Sequence, residues 1–197
     1  MEEGLQIGSN KDGEEMVITP EEILEKAKKM IGQETEAAPG RYPVEYEPIR
    51  RYCHMVEDDN PIFLDPEYAK KTMHGEVVCP PFQIYNFGSP GPWPPGEAMD
   101  PFMHQLPTTP GSSFMVMGND WEFFRTVRVG DRIWMKNRFV DIYIKAIRRD
   151  PKARWIVTER MYTNQDGDKV ASWRMTVVAV RSPEEVKASG DAPEGQR

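Results

Sequence analysis

The residues best equipped for chemistry lie between His54 and Asp65. Three acids in a row, Glu57-Asp58-Asp59, run into Asn60-Pro61, and a histidine stands at position 54. A carboxylate held beside a cleft can act as a general acid or base. On an unbroken helix, His54 and Asp58 would share one face at a spacing of four and could work as a pair. The sequence argues for a break between them. The residue before a proline is pushed out of the α region, and Asp and Asn favour turns. The plain reading of Asp58 is a hydrogen-bonded turn former, a vestigial site at most; the sharper one is a catalytic carboxylate with His54 recruited beside it. His74 and His104, the remaining histidines, read as loop residues.

The flanking elements position this turn. Upstream, Pro48 opens a helix whose buried stripe is Ile49, Tyr52, Cys53 and Val56, with Arg50 and Arg51 facing outward. Downstream, Asp65 caps a short helix that has Pro66 at its first position, runs to about Thr72 and closes near Gly75. An earlier helix begins at Thr19-Pro20-Glu21-Glu22, a capping box. It carries Ile23, Leu24, Ala27, Met30 and Ile31 on one face and ends at Gly32. A loop at Ala38-Pro39-Gly40 separates these two longer helices. Val77 to Phe87 is apolar, and its Pro80-Pro81 pair suits a helix entry.

From Phe114 the pattern turns to strands. Trp121–Val127 is aromatic and branched, and Val129-Gly130-Asp131 is a turn. Ile133, Met135 and Asn137 then alternate with Trp134, Lys136 and Arg138 in a strand continuing to about Ile147. Trp155–Thr163 and Val170–Val180 follow, joined by the Asp-Gly hairpin signal of Gln165-Asp166-Gly167-Asp168. Helices first and an antiparallel meander after them make an α+β fold, a curved sheet against a few helices. Residues 1–17 and 182–197 are expected to be flexible, leaving one domain over 18–181. Between the two halves, residues 88–111 hold seven prolines and four glycines. So long a loop is either a lid or binding loop or a packed surface cover.

Composition excludes several classes. A net charge of −7 over 197 residues lacks the electrostatic footprint of nucleic-acid binding. No apolar run is long enough to span a bilayer, and Met1-Glu2-Glu3-Gly4 has no signal-peptide character. The two cysteines, Cys53 and Cys79, stand outside any C-x-x-C spacing, so neither a zinc site nor a disulfide framework is expected, and the expected compartment is the cytoplasm. Twelve methionines read as adaptable core packing, or more sharply as a flexible surface for an acyl chain.

The stretch around the turn resembles a specific family. The R-specific enoyl-CoA hydratases of the MaoC-like group carry a Gly-Asp-x-Asn-Pro-(Ile/Leu)-His segment, and here it reads Glu57-Asp58-Asp59-Asn60-Pro61-Ile62-Phe63. Val77-Val78-Cys79-Pro80-Pro81-Phe82 resembles the family's entry to its long helix. Trp121–Arg125, Val127–Ile133 and Tyr162–Gly167 follow in the order found in MaoC-like and fatty-acid-synthase-type dehydratase domains. The likeness runs from about Tyr46 to Arg181. It implies a hot-dog fold, in which a curved antiparallel sheet wraps a central helix. It also implies hydration of a trans-2-enoyl-CoA or the reverse, with a coenzyme A thioester as substrate and no cofactor.

Two departures shape the functional expectation. Phe63 stands where the family's histidine exchanges a proton. Pro80-Pro81 stands where catalytic members have His-Gly, and proline has no N–H to offer an oxyanion. The resemblance therefore implies the non-catalytic half of a heteromeric hydratase: the second hot-dog subunit supplies the Asp–His pair, and this chain shapes the acyl pocket. The loop at 88–111 would make room for a bulky group such as a steroid side chain. Asn60, Phe63, Phe82 and Arg125 are the expected substrate-binding residues; Arg128 and Arg132 could also meet the phosphates of coenzyme A. Two alternatives remain: a self-sufficient homodimeric hydratase or thioesterase using Asp58 with His54, and a non-enzymatic acyl-CoA-binding protein.

Overall fold

The computed structural model describes residues 19–89, 102 and 112–191. Five strands form one antiparallel sheet: β1 (Ala38–Pro39), β2 (Ser113–Phe123), β3 (Trp134–Ile144), β4 (Arg154–Thr163) and β5 (Lys169–Val180), in the order β1-β3-β4-β5-β2. The alternation that marks the strands in the sequence decides which way each side chain points. Along β4, Arg154, Ile156, Thr158, Arg160 and Tyr162 are buried, while the intervening residues are half-exposed. Register shifts between Val116 and Gly118 on β2, and between Phe139 and Asp141 on β3, bend the sheet. The second shift moves the buried set of β3 from Met135, Asn137 and Phe139 to Ile142.

Two expectations about the sheet change. Ala38-Pro39 is not loop but a two-residue edge strand against β3. The strands are not a simple meander either: β3, β4 and β5 follow one another, but β2 lies on the far side of β5. The inner side chains explain that placement. Trp121 faces Trp173 across the β2–β5 pair and stacks on it at 5.1 Å, and it also stacks on Tyr162 of β4 at 5.9 Å. Offset stacks of this kind add to burial.

The chain enters the concave face at Pro81, with a 3₁₀ turn (Pro81–Gln83) continuing into the helix called α5 below, Ile84–Gly88. Ahead of it come α1 (Pro20–Lys28), α2 (Tyr46–Val56), α3 (Pro61–Leu64) and α4 (Pro66–Ala69). Ile84 and Phe87 join Ile49, Cys53, Ile133 and Tyr162 in the main core. Gly88 lies against the ring of Tyr162, where an added Cβ would come within 2.6 Å of the ring. Gly40 is pressed as closely on the carbonyl of Phe87. Gly40 excludes a side chain by contact with backbone, and Gly88 by contact with a fully buried ring. α1 closes a second cluster, with Ala27 meeting Phe139, Ile142, Ile156 and Phe102. Its capping box forms as expected, but Ile31 is exposed beyond the helix end. Val56, expected on the buried stripe of α2, is also exposed, because the helix ends there.

The segment after Ser182, expected to be flexible, begins with a capped helix, α6 (Pro183–Ala188). Its anchor is Arg181, whose guanidinium reaches buried Asp150 at 2.6 Å and Asp191 at 2.9 Å. The Arg181 N–H also donates to Asp150. Residues 1–18, most of 88–111 (90–101 and 103–111) and 192–197 lie outside the described residues, so the expectations for the N-terminus and the proline-rich loop do too.

This ion pair makes a prediction about stability. Burial alone pushes the Asp150 carboxyl up, but the hydrogen bonds from Arg181 outweigh it and hold the carboxyl below its ordinary value. A folded-state pKa below the unfolded one gives stability that is present above about pH 4 and lost as pH falls through the folded value. Asp150→Asn should cost about 3 kcal/mol at neutral pH, since buried Arg181 loses its one buried carboxylate partner and keeps only the partly exposed carboxylate of Asp191. Urea titrations should show the gap between wild type and variant narrowing in acid; a pH-independent gap would contradict this account.

Candidate functional site

The acidic turn is built from backbone geometry. Glu57 ends α2 in the left-handed region (φ 58°, ψ 34°), and the Asp58 N–H returns to the Cys53 carbonyl at 2.9 Å. A left-handed residue at this position reverses the chain, which is why glycine is favoured there. Asp58 Oδ1 accepts the Asn60 N–H at 3.1 Å, Asn60 Oδ1 accepts the Ile62 N–H at 3.2 Å and so caps α3, and Asp65 Oδ1 caps α4 through Glu67 and Tyr68. One oxygen of the Asp58 carboxylate is thus engaged in shaping the turn. His54 is exposed on α2, and the turn removes Asp58 from its helical face.

Beyond the turn, a cleft of about 400 Å³ opens between α3 and the entry to α5. Asn60, Ile62 and Phe63 form one wall. Pro81 and Ile84 face them, and Phe123 to Val127, at the end of β2, close the side. Of the six residues predicted for a site, three are brought together here: Asn60, Phe63 and Arg125. Phe82 stands just outside, more than half exposed, and meets Trp121 and Phe123 edge-on at 5.8 and 5.5 Å. Asp58 and His54 are not on the wall.

The polar atoms of the cleft are mostly committed. Arg125 is held by Asp168 at 3.1 Å. The Cys79 thiol donates to the Pro80 carbonyl, and burial pushes its pKa far up, so it is no nucleophile. Cys53 is shifted the same way by burial. Arg128 faces Glu76 at 3.8 Å outside the cleft. Among the described residues no cluster of His, Cys, Asp and Glu could hold a metal.

Two features escaped the sequence reading. His74, taken for a loop residue, is half-buried on the cleft wall. Only the close of the α4 turn on Thr72 and Gly75 puts it there. Arg160 is buried on the concave face of β4, 4.6 Å from the Trp173 ring, with its Nε donating to Asn137. A charged residue at an inward register position of a strand is the signal that could have found it. A larger cavity of about 620 Å³ lies between α2 and α5, around Pro48, Tyr52, Met55 and Gln83. It contains none of the predicted residues.

The family model of the FAS1-like, dehydratase domain region matches residues 29–173. A probable enoyl-CoA hydratase alpha subunit of Thermomonospora curvata is 26% identical over 164 residues, which is 80% of this chain and 51% of the relative. The chain therefore spans about half the length of that relative. Among solved structures, the ChsH1-ChsH2 complex of Mycobacterium tuberculosis matches with a TM-score of 0.66 at 16% identity, over 81% of this chain and 94% of that one. The C-terminally truncated HadBC (3R-hydroxyacyl-ACP dehydratase) complex from the same organism gives 0.56 at 21%, over 76% and 96%. At such identities the likeness is one of fold, and the fold is the expected hot-dog arrangement.

The left-handed residue supplies a test of the turn. A side chain in this region costs about 1–2 kcal/mol, partly offset by the greater freedom of an unfolded glycine. Glu57→Gly should raise stability by about 0.5–1 kcal/mol, measured by thermal unfolding. A loss would mean that the Glu57 side chain contributes something the turn geometry does not account for.

Proposed function

Because the chain belongs to the family of FAS1-like dehydratase domain regions, we propose that it is the non-catalytic subunit of an enoyl-CoA hydratase, acting on a coenzyme A thioester. A second hot-dog subunit supplies the Asp–His pair, and this chain completes the assembly and shapes the acyl pocket. The observation that carries the reading is the cleft itself. It lies beside the capped turn and the helix entry, and Phe63 and Pro81 line it. The resemblance puts at these positions the proton-exchanging group and the N–H donor that hydration needs, which supports the reading. One oxygen of the Asp58 carboxylate accepts a hydrogen bond within the turn.

The open edge of the sheet supports the partner. β2 is an eleven-residue edge strand that pairs only with β5 among the described residues. Phe114, Val116, Met117, Phe123 and Phe124 on and just after it are all exposed. A long, apolar, unpaired edge is a template for another strand, and proteins rarely leave one bare. Since Phe123 and Phe124 belong both to this edge and to the cleft, a subunit docked on β2 would also wall the cleft.

The direct experiment measures hydration of a trans-2-enoyl-CoA by the chain alone and after adding a hot-dog partner with an intact Asp–His motif. The expected result is no activity alone, activity with the partner, and no change in that activity for Asp58→Asn. Activity of the isolated chain that disappears in Asp58→Asn would instead assign it a site of its own. A stable complex with no activity would favour a binding protein. Val116→Lys should weaken the complex at least about tenfold, because it buries an unpaired charge at the joined edge.

A further inference from the structure

We propose that His74 is the residue through which this chain holds the polar head of its ligand in the cleft. The inference rests on the reading of that cleft as the thioester-binding half-site and adds to it a contact that the turn motif does not contain.

Several of the described polar groups of the wall already have partners. The Asn60 side-chain oxygen caps α3. The Arg125 guanidinium is taken by Asp168. The Cys79 thiol is donated to Pro80 and is kept protonated by burial. Pro81 has no N–H. Three side-chain groups are left: the Asn60 amide nitrogen, the Thr126 hydroxyl and the His74 imidazole. Thr126 lies on the exposed chain that follows β2, and Asn60 is exposed as well. His74 is half-buried, and its ring has no hydrogen-bond or ion-pair partner among the described residues. Its backbone is fixed on the other side, because its N–H donates to Thr72 Oγ1 at 3.2 Å while that hydroxyl donates to Ala69 at 2.7 Å. The loop is thus held in place, and the ring stands at the wall with one nitrogen able to donate and the other to accept.

The surroundings define what the ring would meet. Ile62, Phe63, Val78, Ile84 and Phe123 make a continuous share of the wall apolar, which suits an acyl chain. A ligand with an apolar tail and one carbonyl acceptor, as an acyl thioester has, fits this arrangement: the tail lies along Phe63 and Ile84, and the carbonyl oxygen accepts from the imidazole N–H. A hydrogen bond in a partly desolvated cleft is worth about a tenfold change in affinity.

The test is titration calorimetry of the whole chain with octanoyl-CoA, a saturated thioester that cannot be hydrated. Saturable binding is expected, weakened about tenfold by His74→Ala and restored to within about threefold by His74→Gln, whose amide keeps a donor and an acceptor. Thermal unfolding of both variants should match wild type, since the Thr72 bond uses the backbone. No saturable binding, an alanine variant that binds like wild type, or equal losses in both variants would each overturn the assignment to hydrogen bonding by His74. The half-site reading fails separately: it falls if the isolated chain hydrates the enoyl thioester, whatever His74 does to octanoyl-CoA affinity.

Discussion

The close approach of α5 to the concave sheet is the constraint on which the rest of this molecule depends. Gly88 touches the ring of Tyr162, and Gly40 touches the carbonyl of Phe87, so the helix is clamped between the sheet and the loop ahead of α2. Any side chain at either glycine would push the helix outward. Because the helix is seated this deeply, its entry at Pro80-Pro81 comes level with α3, and the gap between them becomes the cleft. The tight seat and the cleft are therefore two ends of one packing arrangement.

The same seat organises the aromatic residues. Tyr85 on α5 meets Trp173 edge-on, Trp173 stacks on Trp121, and Trp121 stacks on Phe123 at the open edge. A continuous aromatic path thus joins the helix to the strand on which a partner is proposed to dock. Arg160 lies within this path, its guanidinium over Trp173 and its Nε bonded to Asn137. A buried cation held by ring faces and an amide is a polar feature within an otherwise apolar concave face. The ion pair of Asp150 and Arg181 plays the corresponding part at the opposite corner, tying α6 to the β3–β4 connection.

In this chain the acidic turn is held by its own local hydrogen bonds. The turn consists of a left-handed residue at 57, an Asp at 58 bonded to the next N–H but one, and an Asn cap on the following proline helix. Phenylalanine at 63 and proline at 81 leave that scaffold presenting an apolar surface. The hydrogen bonds of such a turn serve folding by themselves, since they satisfy backbone N–H groups at the starts of two short helices.

How much was legible in the sequence follows from the range of each interaction. The caps at Thr19 and Asp65, the break before Pro61, the strand alternation and the Asp-Gly hairpin are local, set by residues within a few positions, and the sequence alone determined them. The family resemblance, too, rests on contiguous segments. Only the tertiary structure decided that β2 crosses to the far side of β5, because stacking of Trp121 on Trp173 spans 52 positions of chain. It alone also brought His74, Phe63 and Arg125 to one cleft, buried Arg160, and turned the tail after Ser182 into a helix anchored on Asp150. Those outcomes depend on which distant surfaces meet. No local spacing encodes that, since the free energy that selects it arises only when the sheet, the helix and the turn are packed together.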